Sequence, residues 1–312
     1  MNDSRVSTLS WLTFIALALT WGSSFILMKR GLVAFTAMQV GMLRIVFAAS
    51  FILGISFRKL RSLNRSNAWP LLVVGLVSIV FPYLLFPLAV SRLDSGLVAV
   101  LNAMVPLFTL LIGVVWFKIR VNRMAVTGIL VGLAGALWLL LPGLQFQLDQ
   151  MAFGVLPILA GVGYAVGVNT VNRYLGGMRS IDITVITLAI ALVPALVMLG
   201  ASGIVQTFTG SAQEWTALGY VAVLGVLGTA VANFFFNKLI QQTGSLFSSS
   251  VTYVIPLVAL GWGLYDGERI GVHEVAGMCA ILLGVWMVNN RKRAFAADDP
   301  VVVQARTGGD AP

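Results

Sequence analysis

Charge is scarce in this chain: of 312 residues, 10% are charged and 59% are hydrophobic. Soluble domains carry about a quarter charged residues, so one large water-soluble core is excluded. Cysteine and histidine are nearly absent. The single cysteine, Cys279, lies inside an apolar run, which removes intramolecular disulfides and cysteine-cluster metal sites. The single histidine opens a zincin-like His273-Glu274 pair, but no second histidine supplies the other ligand. A P-loop is missing, so an ATP-driven pump would need another subunit. Gly161, Gly163 and Gly167 sit within an apolar run and miss the spacing of a dinucleotide loop. An enzyme is therefore not the expected class, and neither a metal nor a cofactor is expected.

What is present is apolar sequence in long pieces. Ten runs stand out: 9–28, 36–57, 69–90, 95–116, 124–141, 151–171, 183–202, 215–237, 245–265 and 275–289. Runs of about 20 residues match a hydrocarbon core of about 30 Å at 1.5 Å per residue. Backbone polar groups in lipid must pair within the protein, so each run is expected to be a helix. The last run is short and is expected to recruit His273 and Glu274 at its entrance. The first is too long for the apolar part of a secretory signal and is followed by further spans.

The net charge of +9 could point to nucleic acid. Its distribution argues against that partner, because the basic residues occupy the short connections between runs. With the N-terminus inside, the cytoplasmic side holds Arg5; Arg58, Lys59, Arg61 and Arg65; Lys118, Arg120 and Arg123; Arg173 and Arg179; Lys238; and Arg291, Lys292, Arg293 and Arg306. The outer side keeps Lys29, Arg30, Arg92 and Arg269. Lysine and arginine favour cytoplasmic connections, so both termini are expected inside, in a multi-pass protein of the bacterial inner (plasma) membrane.

The chain also repeats itself. Ser95 to Gly113 matches Ser245 to Gly263 at an offset of 150, including Pro106 with Pro256 and Leu107 with Leu257. Gly128 and Gly135 fall on Gly277 and Gly284 at 149, Trp69 on Trp215 at 146, and Trp21 on Tyr164 and Arg30 on Arg173 at 143. Five spans per half is odd, so the second copy enters the bilayer inverted. The connection 58–68 has four basic residues and its mate, 203–214, has none, as inversion requires. Inverted repeats are a common transporter design. The expected units are 1–142 and 150–290, followed by a disordered cytoplasmic tail, 291–312.

Several intramembrane groups are candidates for contact with a solute. Arg44 lies about nine residues into the second run, about 13 Å at 1.5 Å per residue, and a charge at that depth needs protein, water or a ligand around it. It either attracts an anionic group or bonds helix-end carbonyls and side-chain oxygens of neighbouring helices. Pro106 and Pro256 lie mid-run and deny an N–H to the carbonyls of Asn102 and Thr252. They are expected to kink and gate their helices. Trp21 and Ser24, Tyr83, Asn102, Tyr164 and Asn169, Asn233 and Tyr253 complete the candidate cavity set, because amides and aromatics suit a pocket that grips through few hydrogen bonds and much surface. Deep carboxylates are missing: Asp94, Asp182, Glu214, Asp266, Glu268 and Glu274 all fall at span ends, which disfavours proton coupling through a buried acid. Gly128, Gly132 and Gly135 form one small face and Ala276, Ala280 and Gly284 another. Such faces let helices approach closely. Packing within a monomer is expected, with a homodimer a weaker alternative.

Trp21-Gly22-Ser23-Ser24-Phe25, Leu43-Arg44, the doubled Val105-Pro106-Leu107 and Ile255-Pro256-Leu257, Gly267-Glu268-Arg269 and the glycines of the fifth and tenth runs resemble the EamA family of the drug/metabolite transporter superfamily. The resemblance covers about residues 9–290. It implies a ten-helix inverted-repeat carrier with a central cavity, often an exporter of amino acids or related metabolites. Spans 1, 3, 4, 6, 8 and 9 are then expected around the cavity, and spans 5 and 10 toward the periphery. The chain departs from the family where Phe117-Lys118-Ile119-Arg120 replaces the usual Gly-Glu-Arg turn. Arg44 matches a position shared by many relatives, which implies a structural or gating role.

The expectation is thus an all-α integral membrane protein of ten helices, moving a small-molecule substrate through the lipid bilayer by alternating access. Amino-acid export leads. An importer of sugars, nucleotides or organic anions, and a non-transporting scaffold or sensor, are the alternatives.

Overall fold

The computed structural model describes residues 7–117, 123–140, 148–267 and 271–289. The Lys118-Ile119-Arg120 turn, Glu268, Arg269 and the tail 291–312 lie outside the described residues. All elements among the described residues are helical. In the first half, α1 (Thr8–Gly31) and α2 (Ala37–Ser56) precede α3 (Arg65–Gly75), which runs through a π-helical turn (Leu76–Val80) into α4 (Phe81–Val90). Then come α5 (Ser95–Asn102), α6 (Val105–Phe117) and α7 (Arg123–Leu140). The second half holds α8 (Leu148–Tyr174), α9 (Ser180–Ala201) and the short α10 (Ile204–Thr207). Next, α11 (Ala212–Gly225) passes through a second π-helical turn (Val226–Val231) into α12 (Ala232–Ser249). A 3-10 turn (Ser250–Tyr253), α13 (Ile255–Tyr265) and α14 (Val272–Asn289) follow.

Seven helical stretches among the described residues are long and apolar enough to cross a membrane. The last, Ala212–Tyr265, is 54 residues long. Gly244 interrupts it with φ 82° and ψ 172°, a backbone conformation open essentially to glycine alone. Leu12, Val115, Val197 and Leu264 point outward, an apolar exterior that suits lipid.

Helix starts follow local chemistry. Thr36 with Gln39, Asn64 with Asn67 and Ser211 with Glu214 form capping boxes at α2, α3 and α11. Each pair satisfies N–H groups that the first turn leaves without helical partners. The two mid-run prolines act differently from simple kinks. Chain breaks precede them: α5 stops at Asn102, and Ala103 and Met104 donate to Val100 and Leu101 three residues back. Pro106 then falls in the first turn of α6 and Pro256 in the first turn of α13. A missing N–H is harmless there.

The small faces of α7 and α14 are spent on each other within one chain. A Cβ on Gly284 would strike the Gly132 nitrogen and the Gly128 carbonyl, and one on Gly135 would lie 2.8 Å from Ala280 Cβ. Backbone meets backbone here, so a larger residue has no flexible neighbour to displace. Gly284→Val is expected to cost about 1–3 kcal/mol by overpacking. Thermal unfolding of the detergent-purified protein checks it, and an unchanged midpoint would contradict the packing.

Candidate functional site

Side chains from both halves enclose a cavity of about 80 Å³. That exceeds several-fold the ~10–15 Å³ one water needs, and its mostly apolar lining carries a few polar groups. Arg44, 3% exposed, supplies its charge. Nε donates to Thr229 Oγ1 at 2.7 Å, Nη2 donates to the Gly228 carbonyl at 3.3 Å, and the guanidinium carbon lies 3.9 Å from the centroid of the Tyr83 ring. Among the described residues, no carboxylate lines the cavity. The arginine is therefore held by neutral acceptors and an aromatic face, with no counter-ion among the described residues.

The π turn explains why the Gly228 carbonyl is free to accept. Within Val226–Val231 the helix widens, and Ala232 N–H reaches Leu227, five residues back, rather than Gly228 four back. The Gly228 carbonyl thus accepts from side chains, Trp21 Nε1 at 3.0 Å as well as Arg44. The first π turn does the same to Val77: Phe81 N–H reaches Leu76, and the Val77 carbonyl abuts α8 so closely that a Cβ on Gly163 would sit 2.6 Å from it.

The lining is built from related positions in the two halves. Trp21 and Tyr164, Ser24 and Gly167, Met28 and Val171, and Arg44 and Thr187 lie 143 residues apart, and all line the cavity. Tyr83 and Asn233, Phe86 and Phe236, Asn102 and Thr252, and Val105 and Ile255 lie 150 apart, and all line it too. Contacts repeat along with positions. Trp21 meets Phe236 edge-on at 4.8 Å, and their mates Tyr164 and Phe86 stack at 5.7 Å. A Cβ on Gly225 would lie 2.7 Å from the Arg44 carbonyl, and one on Gly75 would lie 3.0 Å from that of its mate, Thr187. Asn233 Nδ2 donates to its own mate, the Tyr83 hydroxyl, at 3.3 Å. A residue can touch its own mate only near the axis that relates the two copies.

Trp21, Ser24, Arg44, Tyr83, Asn102, Tyr164 and Asn233 are brought together at this cavity. Asn169 and Tyr253 are not. Asn169 is buried and its amide donates to the carbonyls of Thr109 and Ala165, tying α8 to α6. Tyr253 packs on the apolar cluster of Val100, Leu101 and Leu107. Pro106 and Pro256 stand beside lining residues Val105 and Ile255 but do not line the space themselves. Sequence reasoning missed Phe86, Phe236 and Thr187, although each is the repeat mate of a lining residue.

At one end of the bundle, Lys29 Nζ lies 2.6 Å from Asp266 Oδ2, and Arg30 pairs with Oδ1, joining the ends of α1 and α13. The Lys29 hydrogen bond, with help from both cations' charge, holds the Asp266 carboxyl below its ordinary range. A depressed folded-state pKa stabilises above the unfolded carboxylate's value, about 3.9, and that contribution is lost as the pH falls further. The thermal midpoint of the native protein is thus expected to exceed that of Asp266→Asn at pH 6, with the gap closing toward pH 3. Equal gaps at both pH values would refute the assignment.

The description EamA-like transporter family matches residues 8–141 and again 152–290. The chain belongs to that family. It is a membrane transporter, multi-pass and of the inner membrane, built from two copies of one domain. It is 30% identical over 302 residues to the uncharacterized inner membrane transporter YedA of Escherichia coli K12, covering 92% of each chain. It is 23% identical to protein PagO of Salmonella typhimurium, over 88% of this chain and 90% of that one. An uncharacterized transporter of Archaeoglobus fulgidus is 20% identical, over 89% and 99%. One crystal structure shares its fold with a TM-score of 0.65 at 16% identity, covering 93% of this chain and all of that one.

Proposed function

We propose that this transporter is a secondary carrier that exports a small polar metabolite, an amino acid foremost, by alternating access. In this reading ten spans form two five-helix units, 1–142 and 150–290, inserted in opposite senses with both termini cytoplasmic. The supporting observation is the cavity lined by paired positions of the two copies. Two similar units around one site give two closed arrangements of comparable energy, so the site can face either side in turn. Trp21, Ser24, Arg44, Tyr83, Asn102, Tyr164 and Asn233 contact the cargo, with Arg44 taking its carboxylate and the aromatic walls its apolar part.

The test is counterflow in liposomes with labelled amino acids and sugars. Uptake of at least one amino acid supports the reading, and none for any amino acid removes it. Because Arg44 lacks a carboxylate partner in the cavity, a carrier of amine-free organic anions is the second reading, and 2-oxo and dicarboxylic acids belong in the same panel. A cysteine placed at Asn233, after exposed Cys279 is replaced, should react with water-soluble thiol reagents and be shielded by cargo. A cysteine never labelled in any condition would favour a scaffold.

A further inference from the structure

Among the described residues, one buried side-chain polar atom has no hydrogen-bond partner: Asn102 Oδ1. The residue is 4% exposed and lines the cavity at the end of α5. More than nine in ten buried polar groups are paired in native proteins, and an acceptor stranded in an apolar setting carries its full desolvation penalty. Three other polar groups of the lining already have acceptors. The Ser24 hydroxyl donates to the Thr20 carbonyl, the Thr187 hydroxyl to that of Ile183, and the Asn237 amide to Thr184 Oγ1. The contrast with the other repeat is direct: Thr252, the mate of Asn102, donates its hydroxyl to the Ser249 carbonyl at 2.8 Å. One copy of the repeat closes this position on itself, and the other leaves a lining residue with an unbonded acceptor.

We propose that Asn102 determines specificity by accepting an N–H from the cargo, so that the protein selects solutes carrying a protonated amine. This rests on the transport reading above and deepens it. Among the described residues no carboxylate lines the cavity, so an ammonium group is met there by neutral oxygens and aromatic faces. Asn102 Oδ1 has that chemistry and lacks a partner of its own. In the transport reading Arg44 takes an anionic group, but an anion alone leaves Asn102 unsatisfied. A site built to bond an N–H strongly rejects the analogue without it.

The experiment uses the full chain in detergent and liposomes, with the twenty common amino acids, each matched to its 2-oxo acid. Binding is read from tryptophan fluorescence and transport from counterflow. The wild type is expected to prefer at least one amino acid over its 2-oxo acid by about tenfold or more. Asn102→Thr copies the residue at the mate position and should fold. It is expected to bring that preference to near unity while retaining affinity for the 2-oxo acid. Asn102→Asp is expected to keep or sharpen the preference for the amine. Undiminished preference in Asn102→Thr, or its loss in Asn102→Asp, overturns the proposal while leaving transport intact. Equal handling of amino and 2-oxo acids by the wild type overturns it and supports the organic-anion reading. Failure of every amino acid removes the amino-acid reading and this assignment together.

Discussion

Replacing Arg44 by methionine is expected to weaken binding of carboxylate-bearing cargo by roughly 10- to 150-fold while leaving the thermal midpoint near that of the native protein. Two effects oppose each other at this position. The guanidinium makes hydrogen bonds to Thr229 and Gly228 and lies over Tyr83, but holding a buried charge without a counter-ion is costly. Methionine fills similar space and removes both terms, so stability changes little. Cargo binding has no such compensation. A hydrogen bond to a charged group contributes about 1.5–3 kcal/mol, roughly a 10- to 150-fold change in affinity. Lysine is expected to lose most of that range as well. Its compact ammonium cannot satisfy Thr229 and Gly228 while also presenting a planar pair of donors. Isothermal titration beside thermal unfolding separates the outcomes. If Arg44→Met unfolds early and its folded fraction still binds with native affinity, the arginine is a structural tie.

The second large effect is expected at Gly41. A Cβ there would strike the Tyr83 carbonyl oxygen and lie 3.1 Å from its carbon, so α2 and α4 touch backbone to backbone. Gly41 precedes Arg44 by about one turn, and Tyr83 carries the ring beneath the guanidinium. Gly41→Ala is expected to push α4 away, destabilise by about 1–3 kcal/mol or more, and weaken cargo binding together with stability. Gly54→Ala on the same helix is the control, because nothing lies within 4 Å of that site. Thermal unfolding and titration of both variants decide it. Similar midpoints for the two would show that the close approach does not matter.

Much of this was legible in the residues. Apolar runs of bilayer length and the paired motifs led to the helical class and the two copies, and the family match covers both. Seven of the helical stretches meet the length and composition needed to cross a membrane. Arg44, Trp21 and Asn102 could be found because a polar or amphipathic residue in lipid needs a reason to be there. Facing direction was not legible. Asn169 is five residues beyond Tyr164, about 140° further round a helix of 3.6 residues per turn, so it meets α6 while Tyr164 meets the cavity. The π turns were invisible, since Leu76–Val80 and Val226–Val231 have ordinary apolar composition. The repeat itself carried the unread signal. Once Arg44 is a candidate, the residue 143 further on, Thr187, is one too.

The seam between α7 and α14 has a mechanical consequence. One helix ends the first copy and the other ends the second, and their glycines leave no layer of side chains to act as a cushion. Separating them would expose peptide groups to hydrocarbon. In the alternating-access reading proposed above, a swing of the copies past one another would pivot about this line, the fulcrum about which the far side of the bundle opens.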